Sequence, residues 1–292
     1  MSKFTFIRAE KASFPVAVMC SVLDVSRSGF YAWCTRPKSS RKSEDERLAL
    51  AVQQAHKAGR GAYGTRRIHH ALKKAGWRVG RKRIARLRRQ EGLSVKRRRR
   101  YIATTNSEPT QPVAANVLQR NFEVSQPNKV WVTDVTHVWT LEGWVYLAVI
   151  LDLCTRRVVG WAMNSNNDRH LALAALERAA MLRRPAPGWM HHSDRGAVYT
   201  SLEYRIALER LGARVSMSRK GNCWDNAVAE SFFASLKGEC LDHIVLYTRA
   251  QAIALTADYI DAFYNICRMH STLNYESPIE FELKLQSRRE AA

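Results

Sequence analysis

The sequence has few cysteines, and their spacing fits no metal or disulfide motif. The six cysteines among 292 residues form no Cys-x-x-Cys pair and have no nearby histidines at zinc-finger spacing. Neither structural zinc nor a disulfide framework is therefore expected. Long hydrophobic runs are also missing, because the most apolar stretch, Val145–Leu153, is short and contains Asp152. These absences predict a cytoplasmic protein with no membrane partner.

Acidic residues are scarce in the first 120 residues, which hold 28 Lys and Arg against 7 Asp and Glu. The rest of the chain holds 19 of each, so the whole formal net charge of +21 lies in the first part. An excess of this size predicts a polyanionic partner, and we expect DNA or RNA. A basic part joined to a neutral part suggests that one holds the nucleic acid while the other acts on it.

Two helical pairs are predicted in the basic part. Residues 14–33 fit a helix-turn-helix, with Pro15 at the first helical position and Ser26 as the cap of the second helix. The spacing alone fits equally well two packed helices without a DNA-binding role. The second pair is clearer, because Thr65 can cap a helix that stops at Gly76, and Arg81–Gln90 forms the next helix.

Basic residues are concentrated at the end of this region, where eleven of the twenty residues from 81 to 100 are Lys or Arg. A solvated charged face is the ordinary explanation of such a run, but five successive like charges at residues 96–100 repel one another unless phosphates neutralise them. The predicted DNA contacts in this part are Arg66, Arg67, Arg81, Lys82, Arg83, Arg97, Arg98, Arg99 and Arg100.

Composition predicts four segments. Residues 101–128 are polar and contain three prolines, which is typical of a linker, with one short helix expected at 114–120. The predicted divisions are a basic helix-turn-helix DNA-binding region at 1–100, the linker at 101–128, a catalytic core at 129–245 and a helical extension at 246–292.

The second half alternates strand and helix patterns. Strands are predicted at 129–139, 144–153, 156–163, 189–193 and 214–218, with helices at 170–182, 201–211, 226–240 and 248–266. A meander of three strands followed by alternating helices and strands predicts an α/β fold. The expected core is a mixed five-stranded sheet with flanking helices, which is the order of the ribonuclease H-like fold, preceded by the all-α region.

Three acidic residues are the candidate catalytic groups. Asp134 lies in the middle of the first strand, where an ionised carboxylate is costly unless a cation or a buried partner compensates it. Asp194 follows a short strand, at the end of the sheet where open α/β sheets bind ligands. Glu230 lies on a later helix, and at 100° per residue it shares one face with Asn226 and Lys237.

Three carboxylates suit Mg²⁺ or Mn²⁺, because these ions prefer oxygen ligands. Two ions would allow in-line displacement at phosphorus without a protein nucleophile. Lys237 and Asn226 are expected to help hold the phosphate. Two further acids are interpreted as structural: Asp152 is expected to pair with Arg156 and Arg157, and Asp225 to cap a helix.

Histidines and aromatic residues near the acids are expected to have positioning, core or DNA-contact roles. His191 and His192 could bind metal, but a positioning role is favoured. Trp131, Trp139, Trp144 and Trp161 are expected in the core. Tyr199 and Trp224 follow or precede the candidate acids in predicted loops and are expected to position or touch DNA.

The ordered set of motifs resembles the DDE recombinases of the retroviral-integrase type, and most closely the OrfB-type transposases of insertion sequences with two frameshift-fused reading frames. The pieces that carry the resemblance span most of the chain: Ser-Gly-Phe-Tyr-Ala-Trp at 28–33, Tyr-Gly-Thr-Arg-Arg-Ile at 63–68, Trp-Val-Thr-Asp-Val-Thr at 131–136, His-Ser-Asp-Arg-Gly at 192–196, Asp-Asn-Ala at 225–227 and Glu-Ser-Phe-Phe at 230–233. Thirty-five residues separate Asp194 from Glu230, a spacing typical of this group.

The resemblance implies DNA strand cleavage and transfer of a 3'-hydroxyl to target DNA, with two divalent metal ions bound by Asp134, Asp194 and Glu230. It also implies a homo-oligomer, at least a dimer, on paired transposon ends. Action in a bacterial cytoplasm, in association with the nucleoid, follows from this. The resemblance leaves open whether an upstream-frame (OrfA) partner or fusion is required. A DNA-binding regulator and a structure-selective nuclease remain the alternatives, and joined rather than merely cut DNA would exclude both.

Overall fold

The structure is a computed structural model that describes residues 2–37, 39–95, 114–219 and 223–291, apart from the side chains of Cys223 and Trp224. The predicted DNA contacts Arg97, Arg98, Arg99 and Arg100 and half of the predicted linker lie outside the described residues. The chain divides into two compact units, residues 1–52 and 53–292. The predicted segment boundaries at 100, 128 and 245 stay a prediction.

Short helices form the first unit around a small apolar core. The helices are α1 (Lys3–Glu10), α2 (Val16–Val22), α3 (Arg27–Thr35) and the first part of α4 (Ser40–Ala58). The core consists of Ile7, Met19, Cys20 and Phe30. The Ser26 side chain accepts a hydrogen bond from Gly29 N at 3.0 Å, as the predicted cap of α3 requires. Pro15 is the N-cap of α2 rather than its first helical residue.

The second unit begins with the rest of α4 and two further helices, α5 (Thr65–Lys74) and α6 (Arg81–Gln90). Ile68, Leu72, Ile84 and Leu87 are buried, which confirms the predicted pair. The prediction that Thr65 caps α5 was wrong, because Gly64 is the N-cap. The Thr65 hydroxyl instead accepts a hydrogen bond from Arg88 Nη1 at 2.9 Å, which ties α5 to α6.

A mixed five-stranded sheet forms the centre of the second unit, as predicted. The strands are β1 (Val130–Thr140), β2 (Gly143–Asp152), β3 (Val158–Asn164), β4 (Met190–Ser193) and β5 (Arg214–Met217), in the order β3-β2-β1-β4-β5. β1, β2 and β3 pair antiparallel, whereas β4 lies parallel to both β1 and β5. β1 is therefore central between a hairpin partner and a parallel partner.

Helices cover both faces of the sheet. They are α7 (Arg169–Arg183), α8 (Ala197–Thr200), α9 (Leu202–Arg210), α10 (Ala227–Leu236), α11 (Arg249–Ala257) and α12 (Pro278–Glu290). α7 packs on alternate strand residues such as Trp131, Ala148 and Ile150, while α10 and α11 contact β1 and β2. Gly160 permits close packing, because a Cβ there would lie 2.3 Å from the Ala175 carbonyl oxygen of α7.

Two helices continue as π-helical turns, Lys237–Leu241 after α10 and Asp258–Tyr264 after α11. The wider turn shifts the angular position of every residue that follows it, so a calculation at 100° per residue fails there. Thr248 caps α11, accepting from Gln251 N at 3.0 Å. The Gln251 side chain, however, accepts from Tyr247 N rather than completing a capping box on Thr248.

Three other local predictions were wrong. Residues 114–120 form no helix. Asp152 does not pair with Arg156 or Arg157; its carboxylate accepts from Asn128 N at 2.5 Å and from Thr155 N at 2.9 Å. Trp139 and Trp144 are 55% and 44% exposed rather than core residues. They stand opposite each other at the start of the β1–β2 hairpin and shield one another, with ring centroids 4.8 Å apart.

Among the described residues, no helix is both long enough and apolar enough to cross a membrane.

Candidate active site

The pairing of β1 with β4 brings the first two candidate acids together. The parallel register joins Trp131 to His191 and Val132 to His192. Continued by two residues, the same register aligns Asp134 with Asp194, which follows the last residue of β4. Neighbouring strands lie about 4.8 Å apart, so the two carboxylates share the carboxyl end of the parallel pair.

A network of hydrogen bonds fixes the turn that carries Asp194. The Asp194 carboxylate accepts from Gly196 N at 2.9 Å, and the Ser193 hydroxyl donates to the Asp194 carbonyl at 2.9 Å. Arg195 Nε donates to the Ser218 carbonyl at 2.8 Å, which ties the turn to the end of β5. The Asp134 carboxylate accepts from Val135 N at 2.8 Å. Both aspartates are therefore held in defined orientations.

α10 brings Glu230 to the same end of the sheet. Ala229, Phe232, Phe233 and Leu236 are buried, so this side of α10 packs inward, while Glu230 in the first turn is exposed. Asn226 precedes α10, and its Nδ2 donates to the Thr133 carbonyl at 3.0 Å. That bond anchors the beginning of the helix to β1, one residue from Asp134.

The acids disfavour each other's ionisation. Burial raises the pKa of Asp134 well above its usual range, and the negative charges of Asp194 and Glu230 raise it further. Burial also raises the pKa of Asp194, and partial desolvation raises the pKa of the exposed Glu230. Three carboxylates in this state would be stabilised by a cation, and as a set of oxygen donors they fit Mg²⁺ or Mn²⁺.

Lys237, the first residue of the π-helical turn after α10, is a positive group whose charge acts on this cluster. Its charge lowers the pKa of Asp134 against the larger effects that raise it, and it also lowers the pKa of His137. Burial lowers the pKa of Lys237 itself, while Asp242 and Asp134 oppose that change. Lys237 is thus a cation at the edge of an acidic site.

The three acids do not form a preassembled metal site. In the part of the chain that the structure describes, no group of three or more His, Cys, Asp and Glu side chains is arranged to hold a metal ion. The three carboxylates nevertheless lie close enough for the charges of Asp194 and Glu230 to act on Asp134, whose pKa is raised first by burial.

Comparison with known proteins decides the family. Residues 124–223 and 211–278 match families described as "Integrase core domain", and residues 43–101 match the "HTH-like domain". The "Transposase InsF for insertion sequence IS3A" of Escherichia coli (strain K12) is 38% identical over 284 residues, which cover 97% of this chain and 99% of the relative. The chain belongs to this family of insertion-sequence transposases.

A second relative, the "Insertion element IS600 uncharacterized 31 kDa protein" of Shigella sonnei, is 47% identical over 266 residues, covering 91% of the transposase and 98% of the relative. Among solved structures, the HTLV-2 integrase catalytic core domain in complex with magnesium aligns with 53% of this chain and 97% of its own, at a TM-score of 0.40 and 17% identity. The predicted function, a DDE transposase of an insertion sequence and hence a polynucleotidyl transferase, is confirmed by the family. The predicted fold is confirmed as well.

The histidines beside Asp194 belong to the interior of the transposase. His192 contacts Ser216 Oγ at 2.9 Å through Nδ1, and its Nε2 donates to the Asp225 carbonyl at 3.0 Å. His191 Nε2 contacts the Tyr204 hydroxyl at 2.9 Å. Burial lowers the pKa of His192 to about 4 and that of His191 to about 3, so both are neutral at pH 7. These contacts favour positioning over metal binding.

Tyr199 and Asn226 are buried, which corrects their predicted exposure to DNA. Tyr199 lies on α8 rather than in a loop, and its hydroxyl is 3.2 Å from the Thr133 hydroxyl. It supports β1 beside Asp134. Asn226 lies in a 3₁₀ turn before α10, so its predicted shared face with Glu230 does not follow from regular helix geometry. Lys237 N donates to the Phe233 carbonyl, so Lys237 keeps the predicted α-helical position two turns from Glu230. The Trp224 side chain is outside the described residues.

Asp225 is structural, as predicted, but it is not a helix cap. Its buried carboxylate accepts from Arg219 Nη2 at 3.0 Å, from Arg120 Nε at 2.8 Å and from Asn116 Nδ2 at 2.8 Å. The hydrogen bonds from Arg219 hold the pKa of Asp225 well below its usual range, and Arg120 adds to the effect. Sequence reasoning missed this cluster, because Arg120 and Asn116 lie more than one hundred residues earlier in a segment predicted to be a linker.

The predicted DNA contacts of α5 and α6 separate into two groups. Arg66, Arg81 and Lys82 are exposed, whereas Arg83 is half-buried. Arg67 points inward: its Nη1 is 3.7 Å from Glu239, which also binds the buried Arg268 at 2.6 Å. Arg67 therefore joins α5 to the segment that follows α10.

Proposed function

We propose that Asp134, Asp194 and Glu230 are the catalytic acids of the transposase and that they cleave and join DNA with two Mg²⁺ or Mn²⁺ ions. The observation that carries this proposal is the parallel pairing of β1 with β4, whose register, continued by two residues, aligns Asp134 with Asp194. Burial raises the pKa of Asp134, and the charges of Asp194 and Glu230 raise it further. Acids that disfavour one another's charge at the end of a sheet are a signature of a functional site.

When bound, the ions would supply Lewis-acid charge that activates a water or 3'-hydroxyl for attack on phosphorus and stabilises the leaving oxygen. The chain's own residues set up that chemistry. Asp134 and Asp194 are oriented by Val135 N and Gly196 N. Asn226 anchors the start of the helix that carries Glu230. Lys237 is proposed to bind the DNA phosphate, because its charge already acts on Asp134.

The substrate proposed for the basic part is DNA, both the transposon ends and the target. Arg66, Arg81, Lys82 and Arg83, together with Arg97, Arg98, Arg99 and Arg100, are proposed to contact its backbone. We propose that the transposase acts as a homo-oligomer, at least a dimer, on paired ends in the bacterial cytoplasm, where it associates with the nucleoid. A strand-transfer assay run with and without an OrfA-type protein tests whether the transposase needs such a partner.

A strand-transfer assay with DNA that carries the element's own ends tests the catalytic proposal. The wild type should produce joined DNA in Mg²⁺ or Mn²⁺ and none in EDTA. Glu230→Gln, which removes the charge at nearly constant volume, should lower the rate at least about 1000-fold, or about 4 kcal/mol in activation free energy, with DNA affinity unchanged.

The matched control is Glu203→Gln, since Glu203 is an exposed acid on α9. This variant should join DNA at the wild-type rate. A Glu230→Gln enzyme that still joined DNA would remove Glu230 from the catalytic set. A wild type that bound DNA but neither cut nor joined it, even with an OrfA-type protein added, would favour a regulator.

A further inference from the structure

A groove separate from the acidic site is lined by Arg66, His69, His70, Arg81 and Tyr275 and has a volume of about 280 Å³. Three segments that are distant in sequence build it. α5 contributes Arg66, His69 and His70, α6 begins with Arg81, and a turn near the carboxyl end contributes Tyr275. The groove therefore exists only in the folded second unit, where residue 275 reaches the helix pair.

An aromatic stack joins the carboxyl-terminal turn to α5. The Tyr275 ring lies parallel to the His70 ring, with centroids 3.7 Å apart and an interplanar angle of 9°. His69 meets His70 edge to face at 5.7 Å. Stacked rings of this kind fix the wall of the groove, because both side chains lose their rotational freedom in the contact.

The turn holds Tyr275 in a conformation that non-glycine residues rarely adopt. Asn274 and Tyr275 have φ angles of 53° and 62°, which lie in the left-handed region. Tyr275 N donates to the His270 carbonyl at 2.7 Å, and His270 N donates to the Glu276 carbonyl at 2.9 Å. These bonds stabilise the turn, and backbone strain of this type is concentrated at functional sites.

The charge of the groove is positive. Arg66 and Arg81 are exposed, and no carboxylate among the described residues pairs with either. Burial is the largest cause that lowers the pKa of His70, and the neighbouring basic groups His69, Lys73 and Arg81 lower it further. No side chain caps α6, whose N-cap is Gly80, so its first amides remain available as donors.

We propose that this groove binds a backbone phosphate of DNA and that the carboxyl-terminal turn is part of the DNA-binding surface. Arginine guanidinium groups bind phosphate oxygens with charge-assisted hydrogen bonds, and most protein–DNA hydrogen bonds go to the backbone. The inference rests on the proposed function in taking DNA as the substrate and Arg66 and Arg81 as backbone contacts. It places Tyr275 and His70, which lie more than two hundred residues apart in the sequence, at the same proposed DNA contact.

DNA affinity measured without divalent metal tests this inference, because no strand transfer then occurs. The full chain would be titrated with a fluorescently labelled duplex at several KCl concentrations, and affinity read by anisotropy. Arg66→Gln combined with Arg81→Gln should reduce the slope of log K against log salt by about 1 and the affinity about fivefold at physiological salt, as expected for one lost phosphate contact.

The control removes two arginines elsewhere: Arg205→Gln with Arg210→Gln on the exposed side of α9. This double variant should keep the wild-type slope of log K against log salt. Tyr275→Asn leaves the charge unchanged and retains a residue that tolerates positive φ, yet it should weaken binding by a factor of about 3, on the scale of a lost weak contact. Its thermal unfolding would be recorded to show that it folds.

Equal losses of DNA affinity in the groove variant and the α9 control would overturn the inference, because the effect would then come from lost positive charge anywhere on the protein. Sodium phosphate is the second probe. If inorganic phosphate shifts the His70 resonances while the groove variant keeps the wild-type DNA slope, the groove binds free phosphate only and the DNA contact is wrong. Neither outcome bears on the roles of Asp134, Asp194 and Glu230, which the metal-dependent assay measures separately.

Discussion

At the residue scale, the transposase keeps several titratable side chains in neutral or paired states by enclosing them. His270 is an instance. Its Nε2 accepts from Arg268 Nη1 at 3.1 Å, and its ring lies 5.2 Å from that of Tyr264. Burial, and then the charges of Arg268, Arg67 and Arg156, lower the pKa of His270 to about 3. His270 is therefore neutral in the folded protein at pH 7.

This lowered pKa predicts a loss of stability in mild acid. Below about pH 6.5 the unfolded chain protonates His270 whereas the folded chain does not. The stabilisation is complete above that pH and declines as the pH falls toward 3, with a loss of about 1–2 kcal/mol by pH 5. His270→Gln, an amide that can still accept from Arg268, should show a pH dependence smaller by that amount.

Urea unfolding of the wild type and His270→Gln between pH 7.5 and 5 measures the difference. The variant should be less stable at pH 7.5, and the two curves should converge as the pH falls. Parallel curves would mean that His270 titrates alike in the folded and unfolded chains.

At the element scale, the last helix is held to the sheet by one buried acid. Glu282 on α12 accepts from Arg157 Nη1 at 2.8 Å and from Arg183 Nη2 of α7. Arg183 Nε also donates to Asn128 at 2.8 Å, just before β1. Burial alone would raise the pKa of Glu282, but the hydrogen bonds from Arg183 and Arg157 outweigh it and lower that pKa. One carboxylate thus connects α12, α7 and the start of the catalytic strand.

Glu282→Gln should lower the free energy of unfolding by about 3 kcal/mol, because it leaves two enclosed guanidinium groups without a counter-charge. The ion pairs of Glu282 with Arg157 and Arg183 also make stability depend on pH. Their contribution to the free energy of unfolding is present above about pH 4.3 and is lost as the pH falls through the lowered pKa of Glu282. Chemical denaturation at pH 7 measures the first effect.

Glu203→Gln again serves as the comparison, because Glu203 and Arg169 form an ion pair in which both side chains are 51% exposed. Its loss should cost less than about 1 kcal/mol. A cost for Glu282→Gln no larger than this would show that α12 is held by its apolar contacts instead.

At the scale of the whole molecule, charge is divided between a basic part and a neutral part. All of the formal net charge of +21 arises in the first 120 residues, whereas the proposed catalytic acids lie in the remainder. We therefore expect affinity for DNA to depend on one part and chemistry on the other. The buried Arg67–Glu239–Arg268 cluster connects them, because α5 meets the segment that follows α10 there.

This division predicts steep salt dependence of DNA binding. If six to ten phosphates are contacted, affinity should fall by about 10³ to 10⁵ between 50 and 200 mM salt. Anisotropy titrations on duplex DNA of unrelated sequence test the prediction. The comparison is a variant of the full chain in which the charges of residues 97–100 are reversed, rather than a fragment of residues 129–292. This variant should show a smaller slope of log affinity against log salt. An affinity that scarcely changes with salt would contradict the electrostatic account.

The sequence alone indicated the family of the protein and the order of its elements, and it predicted Asp134, Asp194 and Glu230 as the catalytic acids. Local patterns were sufficient for the elements, because short-range periodicity forms β1, β4 and α10. The capping of α3 by Ser26 was equally local.

Only the tertiary structure decided the partners of individual side chains. Asp225 binds Arg120, Arg67 binds Glu239, and Glu282 binds Arg183, across separations that no local pattern encodes. The π turn that begins at Lys237 changes the angular position of the residues after it. Trp139 and Trp144 remain exposed and contact each other. The physical reason is the same in each instance: periodicity specifies which face of an element is apolar, whereas the partner of a charged or aromatic side chain depends on which distant element packs beside it.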